Sequence, residues 1–364
     1  MHISKESLEY ALRALRREVL EFRFEYPLYL DALAGPMGSL HYYLYSEQLE
    51  WSILRMDPTG VPMARTRLMG TFYKPAYLSW WGLVKLGHFL RHNDESSRDA
   101  FLRQVNWLES HAVMRSDGSV VWMNNYDCLH GDTLLRAPWI SAYDQGLAIS
   151  ALVRGYRLTK RPHLLELLRG ASQIFSLPVC EGGVKVPLSD GCLYSELPGE
   201  KVPGIQDGFM TALLALYDLF VETGDPIVKT LFDEGVAGLK AMLPTWDYRE
   251  RWSWYGSRAY LCPPQYHCLN RLLLETLNRL TGDILLAAYA DKWNMENLSG
   301  AARAEIYLMF LFSKNLCRLR NRTWQLTPAK IQGLASQQGS RKIPGRDVPA
   351  TNSVPVPQYS TRRA

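Results

Sequence analysis

From about residue 75 onward the chain repeats one pattern, in which a helical run of apolar residues, a short polar turn and a second helical run follow each other. The pattern predicts four helical pairs, which span residues 75–108, 143–175, 208–243 and 266–293. Their polar turns contain residue types that end one helix and cap the next, namely Asn93-Asp94, Thr159-Lys160, Thr223-Gly224-Asp225 and Thr281-Gly282-Asp283. A further helix is predicted over residues 299–317.

The segments between the pairs have a different character. Residues 117–139 and 180–203 contain Gly, Ser and alternating apolar positions, which predict short β-hairpins and loops. A helical hairpin cannot bury its apolar face alone, so the pairs must pack together, either as an open solenoid or as a closed α/α toroid. Long irregular loops favour the toroid, because they can converge on one mouth. We therefore predict a mainly all-α chain, an α/α toroid with short β-hairpins between its helices.

Composition agrees with a globular protein, since 47% of the 364 residues are hydrophobic and 21% are charged. No apolar run approaches the roughly 18–20 residues of a membrane span, and the N-terminus lacks the continuous apolar region of a signal peptide. We therefore expect a cytoplasmic protein. The six cysteines show no CxxC spacing, which favours free thiols over disulfides or a metal centre.

The net charge of +5 is unevenly distributed. Residues 318–364 contain nine Lys or Arg and one acid, Asp347, so residues 1–317 are slightly acidic. We predict three parts: an N-terminal helical approach segment (1–56), a helical catalytic domain (57–317) and a basic, disordered tail (318–364). The tail is interpreted as a solvated extension or, alternatively, as a tether to an anionic polymer or to membrane lipid. We expect no nucleic acid partner.

Candidate chemistry is concentrated in the loops that precede the helical pairs. In a toroid, the starts of the inner helices face one end, so the loop residues there are expected to line one cleft. They supply a carboxylate, phenols, a cation, an imidazole and indoles, among them Glu196, Tyr194, Tyr255, Tyr266, Arg258, His267, Asp207, Gln145 and Trp139. Phenols and indoles suit the C–H faces of sugar rings, so these residue types are compatible with a carbohydrate ligand.

Each of these residues also has a structural interpretation. His267 fits a hydrogen-bonded structural histidine, Glu196 a solvated loop acid, and the aromatic residues core packing. Metal-ligand spacings, Gly-rich phosphate loops and the GxSxG pattern are missing from the sequence.

Six segments, taken in order, make a family recognisable. They are residues 139–150, 193–198, 207–219, 238–244, 255–258 and 266–267, and they resemble the C-terminal catalytic domain of the D-glucuronyl C5-epimerases over roughly residues 57–295. The resemblance implies an α/α barrel that needs no cofactor. It also implies a substrate that is an anionic, uronate-containing polysaccharide such as heparosan or a heparan sulfate precursor, and it favours a homodimer.

The reaction that the resemblance implies inverts carbon 5 of D-glucuronate to give L-iduronate. A base removes the C5 proton and an acid returns a proton to the opposite face. The resemblance assigns Glu196 as the base and Tyr266 as the acid, with Arg258 and the catalytic phenol Tyr255 holding the substrate carboxylate. We expect the remaining candidates to bind substrate, namely His267, Tyr194, Asp207, Gln145 and Trp139.

The sequence departs from the family pattern at three places. Leu197 stands where the family has Tyr, and Asp207 stands where it usually has Asn. The first 56 residues contain no counterpart of the β-rich, calcium-binding domain of the animal enzymes, so no metal is expected. Three alternatives stay open: a polysaccharide lyase that uses the same enolate, a non-catalytic uronan-binding protein, and an unrelated α/α-toroid glycosidase.

Overall fold

Helices dominate the computed structural model, which describes residues 5–34, 38–46, 54–66, 68–130, 133–257 and 260–321. They are α1 (Lys5–Glu21), α2 (Pro75–His92), α3 (Glu95–Ser110), α4 (Ala142–Thr159), α5 (His163–Ser172), α6 (Gln206–Thr223), α7 (Pro226–Trp246), α8 (Pro264–Thr281), α9 (Ile284–Lys292) and α10 (Gly300–Asn321). None of these described helices is both long and apolar enough to cross a bilayer.

The eight helices from α2 to α9 form four antiparallel hairpins. Helices α2, α4, α6 and α8 pack side by side in that order, and each is backed by the helix that follows it in the chain. Because every outer helix returns the chain, the four inner helices begin at the same end of the molecule. The predicted mainly α, α/α-toroid class is confirmed.

The turns within the hairpins explain why the helices end where they do. Asn93, Lys160, Gly224 and Gly282 adopt the left-handed conformation at the ends of the inner helices. After three of these residues comes an Asp whose carboxylate accepts a hydrogen bond from a backbone N–H of the next helix, namely Asp94, Asp225 and Asp283. The turns predicted from the sequence are therefore present.

Short antiparallel strands occupy the chain before each inner helix. The two-stranded sheets pair β1 (Tyr29–Leu30) with β2 (Leu44–Tyr45), β6 (Val113–Met114) with β7 (Val120–Val121), β8 (Cys128–His130) with β9 (Thr133–Leu135), and β10 (Lys185–Pro187) with β11 (Cys192–Tyr194). The three-stranded sheets are β3 (Leu54–Met56), β4 (Pro62–Thr66) and β5 (Gly70–Phe72), and β12 (Asp247–Tyr248), β13 (Trp252–Tyr255) and β14 (Tyr260–Leu261).

A buried ion pair lies toward the C-terminal ends of α4 and α6. Arg154 Nη1 is 2.6 Å from Asp218 Oδ2. Asp218 also accepts hydrogen bonds of 2.8 Å from the hydroxyls of Tyr43 and Ser150. Tyr43 lies immediately before β2, so the N-terminal part of the chain supplies a hydroxyl to the core.

Two contacts in the structure cross the predicted domain boundaries. Strand β3 ends at Met56 and pairs with β4, so the sheet crosses the predicted boundary at residue 56. Helix α10 continues to Asn321, and Arg318 forms an ion pair with Glu18 of α1. The first four residues of the predicted tail are therefore helical, and residues 322–364 lie outside the described part. All six cysteines are unpaired, as predicted.

Candidate active site

The starts of the inner helices bring a group of titratable side chains together around Glu196. Electrostatic interactions link the Glu196 carboxylate to charged and phenolic groups from α4, α6, α8, β13 and the start of α2, which are Lys74, Tyr77, Tyr143, Asp144, Asp207, Tyr255 and Tyr266. Of the predicted site residues, the structure therefore brings Glu196, Asp207, Tyr255 and Tyr266 into one cleft.

Glu196 is held in place by the residue before it and by the start of α6. The Ser195 N–H donates to the Val184 carbonyl (2.8 Å), and the Ser195 carbonyl accepts from the Ala142 N–H at the start of α4 (3.0 Å). The carboxylate then lies against Gly208, where an added Cβ would collide with Glu196 Oε2. A glycine at position 208 therefore lets the carboxylate approach the helix.

The protonation of Glu196 depends on its burial and on Asp207. Burial and the negative charge of Asp207 raise the Glu196 pKa to about 8, against the opposing effect of the Lys74 cation. Burial also raises the Asp207 pKa to about 6, and backbone N–H groups at the start of α6 oppose that shift. Asp207 Oδ1 is buried without a hydrogen-bond partner. Near neutral pH the two carboxyl groups together therefore hold about one proton.

Lys74 and Asp144 form a second buried pair beside these carboxyl groups. Lys74 Nζ is 3.1 Å from the Asp144 carboxylate, which also accepts from the Ala76 N–H (2.9 Å) and from the Asn124 side chain. The Lys74 ammonium lies 5.5–5.9 Å from the ring centroids of Tyr77, Trp139 and Tyr143. This pair was not predicted from the sequence, although both residues stand at the starts of inner helices, where the cleft was expected.

Two of the predicted phenols are in ring contact. The Tyr255 and Tyr266 centroids are 5.6 Å apart in an edge-on arrangement, and Tyr255 stacks on Tyr260 at 5.1 Å. Tyr266 keeps 38% of its surface exposed. Burial, the neighbouring phenols and the carboxylates Glu196 and Asp207 raise the pKa of Tyr255 and Tyr266 well above 10. Both phenols therefore keep their protons near neutral pH.

Three predicted substrate-binding residues lie in the core instead of the cleft. His267 Nδ1 accepts from the Ser253 N–H (3.1 Å), its Nε2 is 2.9 Å from the Trp293 carbonyl, and burial lowers its pKa to about 3. The Tyr194 hydroxyl donates to the Leu231 carbonyl (2.7 Å). The Gln145 amide donates to the carbonyls of Val120 (2.6 Å) and Ala171 (3.1 Å).

The predicted substrate contacts of His267, Tyr194 and Gln145 need correcting on the same physical ground. Each side chain is at most 1% exposed, and its polar atoms are used within the protein. The structural interpretation of His267 agrees with its position. Arg258 lies outside the described residues, so its contact with a substrate carboxylate stays a prediction. Within the described residues, no three His, Cys, Asp or Glu side chains come close enough to hold a metal ion.

Comparison with known proteins agrees with the family suggested by the sequence. The sequence profile described as the D-glucuronyl C5-epimerase C-terminus matches residues 116–295. The chain belongs to the D-glucuronyl C5-epimerase family.

Two relatives show the extent of this similarity. An uncharacterized protein of Methanocaldococcus jannaschii is 30% identical over 220 residues, which are 56% of this chain and 70% of that protein. The D-glucuronyl C5-epimerase of Caenorhabditis elegans is 26% identical over 234 residues, which are 59% of this chain. The match spans 38% of the length of the C. elegans enzyme.

Two solved structures are similar to this chain at low TM-scores. The GH76 α-mannanase of Bacteroides thetaiotaomicron has a TM-score of 0.45 at 11% identity, covering 74% of this chain and 78% of that one. A D-mannose isomerase has a TM-score of 0.41 at 13% identity, covering 81% and 71%.

Position 197 is where this epimerase-family chain departs from the tyrosine that the resemblance leads one to expect. Leu197 is 5% exposed and packs in a small apolar cluster with Tyr126, Trp139 and Ile205. Trp139 is 4% exposed and donates its indole N–H to the Tyr126 carbonyl (2.8 Å). Leu197 and Trp139 therefore form a buried wall beside Glu196, and this wall has no hydroxyl at position 197. The predicted substrate contact of Trp139 needs correcting for the same reason as that of His267, because its ring is buried and its N–H is used within the protein.

Proposed function

We propose that this protein is a uronate C5-epimerase that converts D-glucuronate residues of a polysaccharide to L-iduronate. Glu196 takes the C5 proton and Tyr266 returns a proton to the opposite face. The observation that supports this proposal is the location of a carboxyl group with a pKa of about 8 in one cleft with neutral phenols at the starts of the inner helices.

The chemistry requires a base that is stronger than an ordinary carboxylate. The C5–H bond is adjacent to the uronate carboxylate, and its electron pair moves onto that carboxylate as the proton leaves, which gives an enolate dianion. A free Glu has a pKa of about 4.3, whereas Glu196 with a pKa of about 8 matches the operating pH far better. Burial supplies that increase in basicity.

The second step requires a group that still carries a proton. The neutral Tyr266 phenol donates its proton to C5 from the opposite face and becomes a phenolate, while Glu196 holds the abstracted proton. The next turnover needs a proton transfer that returns both groups to their starting states. Tyr266 is 38% exposed, so water can reach it for this transfer.

The substrate carboxylate needs hydrogen-bond donors or cations. We assign this role to Arg258 and Tyr255, as the family resemblance implies. The substrate is then a uronate-containing polymer such as heparosan, acted on without a cofactor. The cytoplasmic location, the homodimer and the tethering role of residues 318–364 stay predictions.

Proton exchange tests the proposal directly. The protein is incubated in deuterated water with heparosan and with a β-linked glucuronan, and NMR follows deuterium at C5 and the appearance of L-iduronate signals. We expect exchange on at least one of the two polymers. Absence of exchange on both, with circular dichroism showing a folded protein, would contradict the proposal.

Leu197 favours one second candidate. An enolate that is not reprotonated can instead expel the 4-linked sugar, and the wall beside Glu196 lacks the family's hydroxyl at position 197. The protein would then be a polysaccharide lyase, and its unsaturated product would absorb in the near ultraviolet. Uronan binding with neither exchange nor cleavage would instead indicate a non-catalytic family member.

A further inference from the structure

A row of side chains extends from the proposed catalytic phenol to the C-terminal helix α10. Tyr266 contacts Tyr255 (5.6 Å between centroids), and Tyr255 stacks on Tyr260 at 5.1 Å with an interplanar angle of 8°. Lys314 of α10 places its Nζ 3.4 Å from the Tyr260 ring centroid. Helix α10 begins at Gly300, after the residues that the family profile matches. The row thus joins the family's catalytic region to a separate element.

Apart from the Tyr260 ring, Lys314 has no partner for its charge within the described part of the chain, where it makes neither a hydrogen bond nor an ion pair. The nearby acid Glu18 is engaged by Arg318, so it cannot also neutralise the ammonium at short range. Burial, together with the positive charge of Arg318, lowers the Lys314 pKa to about 8 against the opposing effect of Glu18. A half-buried ammonium of this kind costs free energy until an anion approaches it.

His130 completes the surroundings of this ammonium. Its ring lies 5.8 Å from the Tyr255 centroid, and the side chain is half-buried. Burial and the Lys314 charge lower the His130 pKa to about 4, so the imidazole is neutral and offers one N–H donor. A cation, a phenol and a neutral imidazole therefore occur together at one side of the cleft.

We propose that Lys314, Tyr260 and His130 form a subsite for the anionic group of the nearest other charged sugar residue along the polymer, which we call the flanking residue. That group is a carboxylate or a sulfate of the same polymer. The subsite rests on the proposed function, because it is defined by its position relative to Tyr266. It makes α10 a specificity element of the cleft.

The energetic reason for such a subsite is that a polymer presents the same charge repeatedly along its length. An ion pair away from the reacting carbon holds the chain in register, so that one C5 proton faces Glu196. This interaction is made equally in the ground state and in the transition state. Its loss is therefore expected mainly in KM.

The test compares Lys314→Gln with Lys85→Gln. Lys85 also lies over an aromatic ring, 4.6 Å from the Trp81 centroid, but it is on α2 well away from the helix start. With heparosan oligosaccharides we expect Lys314→Gln to raise KM about tenfold, the loss of one ion pair, and Lys85→Gln to leave it unchanged. Lys314→Arg should restore most of the loss, because it keeps the cation.

A second substrate series separates the two sources of the anion. Oligosaccharides whose flanking residue is uncharged should bind equally to the native protein and to Lys314→Gln. Flanking uronates with and without sulfate then show which anion gives the larger loss. An equal loss for charged and uncharged flanking residues would overturn the subsite.

Binding measured without catalysis distinguishes this proposal from the proposed function. Calorimetry of heparosan oligosaccharides with Tyr266→Phe, and with the double variant that adds Lys314→Gln, reports affinity alone. Weaker binding of the double variant supports the subsite even if no protein exchanges the C5 proton, in which case only the epimerase proposal fails. Equal binding of the two variants, or no uronan binding by the native protein, overturns the subsite.

Discussion

Helices α4 and α6 carry charged residues toward both of their ends, but the charges at the two ends have different partners. Toward the C-terminal ends, Arg154 faces Asp218, and two hydroxyls donate to the same carboxylate. At the N-terminal ends, Lys74 pairs with Asp144. Two more carboxyl groups, Glu196 and Asp207, lie there, and among the residues that the structure describes neither forms an ion pair.

The difference indicates that the charges at one end hold the helices together, whereas those at the other end can take part in proton transfer. A buried charge that is paired and hydrogen-bonded has its partners within the protein, so the Arg154–Asp218 pair serves to join α4 to α6. Carboxyl groups in excess of the nearby cations have raised pKa values and can exchange protons near neutral pH. The carboxyl groups around Glu196 therefore give one end the proton-exchanging groups that the proposed reaction needs.

The largest expected effect on stability comes from removing the charge of Asp218, which pairs with Arg154. Asp218→Asn leaves the Arg154 guanidinium buried beside a neutral amide, which should lower the free energy of unfolding by about 3–5 kcal/mol. Urea denaturation followed by circular dichroism measures it. A loss below about 1 kcal/mol would mean that the two ends do not differ as described.

The next effect concerns catalysis at the reactive end. Glu196→Gln and Tyr266→Phe should each reduce C5 exchange by about 10²–10⁴-fold, since each removes a group that must move a proton. Tyr266→Phe should leave stability within about 1 kcal/mol, whereas Glu196→Gln should raise stability above neutral pH, because it removes a buried carboxyl group whose pKa is raised. Loss of folding in these variants would instead place both residues in the structural core.

A third effect is the pH dependence of the two carboxyl groups. Both carboxyl groups have a higher pKa in the folded state than in the unfolded state. Their contribution to stability is therefore fully present below the unfolded-state pKa values near 4, and it is lost as pH rises toward about 6 for Asp207 and about 8 for Glu196. The exchange rate should rise over the upper part of this range, because Glu196 accepts a proton only when it is ionised. Urea midpoints and exchange rates from pH 5 to 9 measure both.

Asp207→Asn sharpens the same measurement. Removing this charge should lower the pH midpoint of exchange by about one unit and should raise stability at pH 8 by about 1 kcal/mol. The same substitution therefore has opposite effects on stability at positions 207 and 218 of one helix. An unchanged pH midpoint would show that Asp207 does not set the Glu196 pKa.

The smallest effect tests a residue that the structure places behind the cleft. Tyr194→Phe removes the hydrogen bond to the Leu231 carbonyl and should cost about 1 kcal/mol of stability, with exchange within about twofold of the native protein. Exchange rates at matched folded concentration check this. A large loss of exchange would return Tyr194 to the site.

Local sequence predicted the helices well, because each turn carries its own chemical signal. Asn93, Gly224 and Gly282 tolerate the left-handed conformation, and the Asp that follows each of them caps the next helix. The same reasoning placed Glu196 and Tyr266 in one cleft, since both stand at the mouth where inner helices begin.

The sequence did not show which side of each element faces the cleft. His267 follows Tyr266 directly, yet adjacent residues on a helix point about 100° apart, and His267 stacks on buried Trp252. The role of Lys74 depends on its ion pair with Asp144, which is 70 positions away in the sequence. Partners this distant become visible only when the helices pack.

The turns that join the inner helices to the outer helices make that end of the molecule useful to the experimenter. The turn of residues 223–225 joins α6 to α7 at the end away from Glu196, and an added Cβ at Gly224 would meet nothing within 4 Å. A paramagnetic tag, a fluorophore or an immobilisation peptide inserted there would leave the mouth of the barrel free. Binding of long polysaccharides could then be followed on a surface, with the cleft facing the solution.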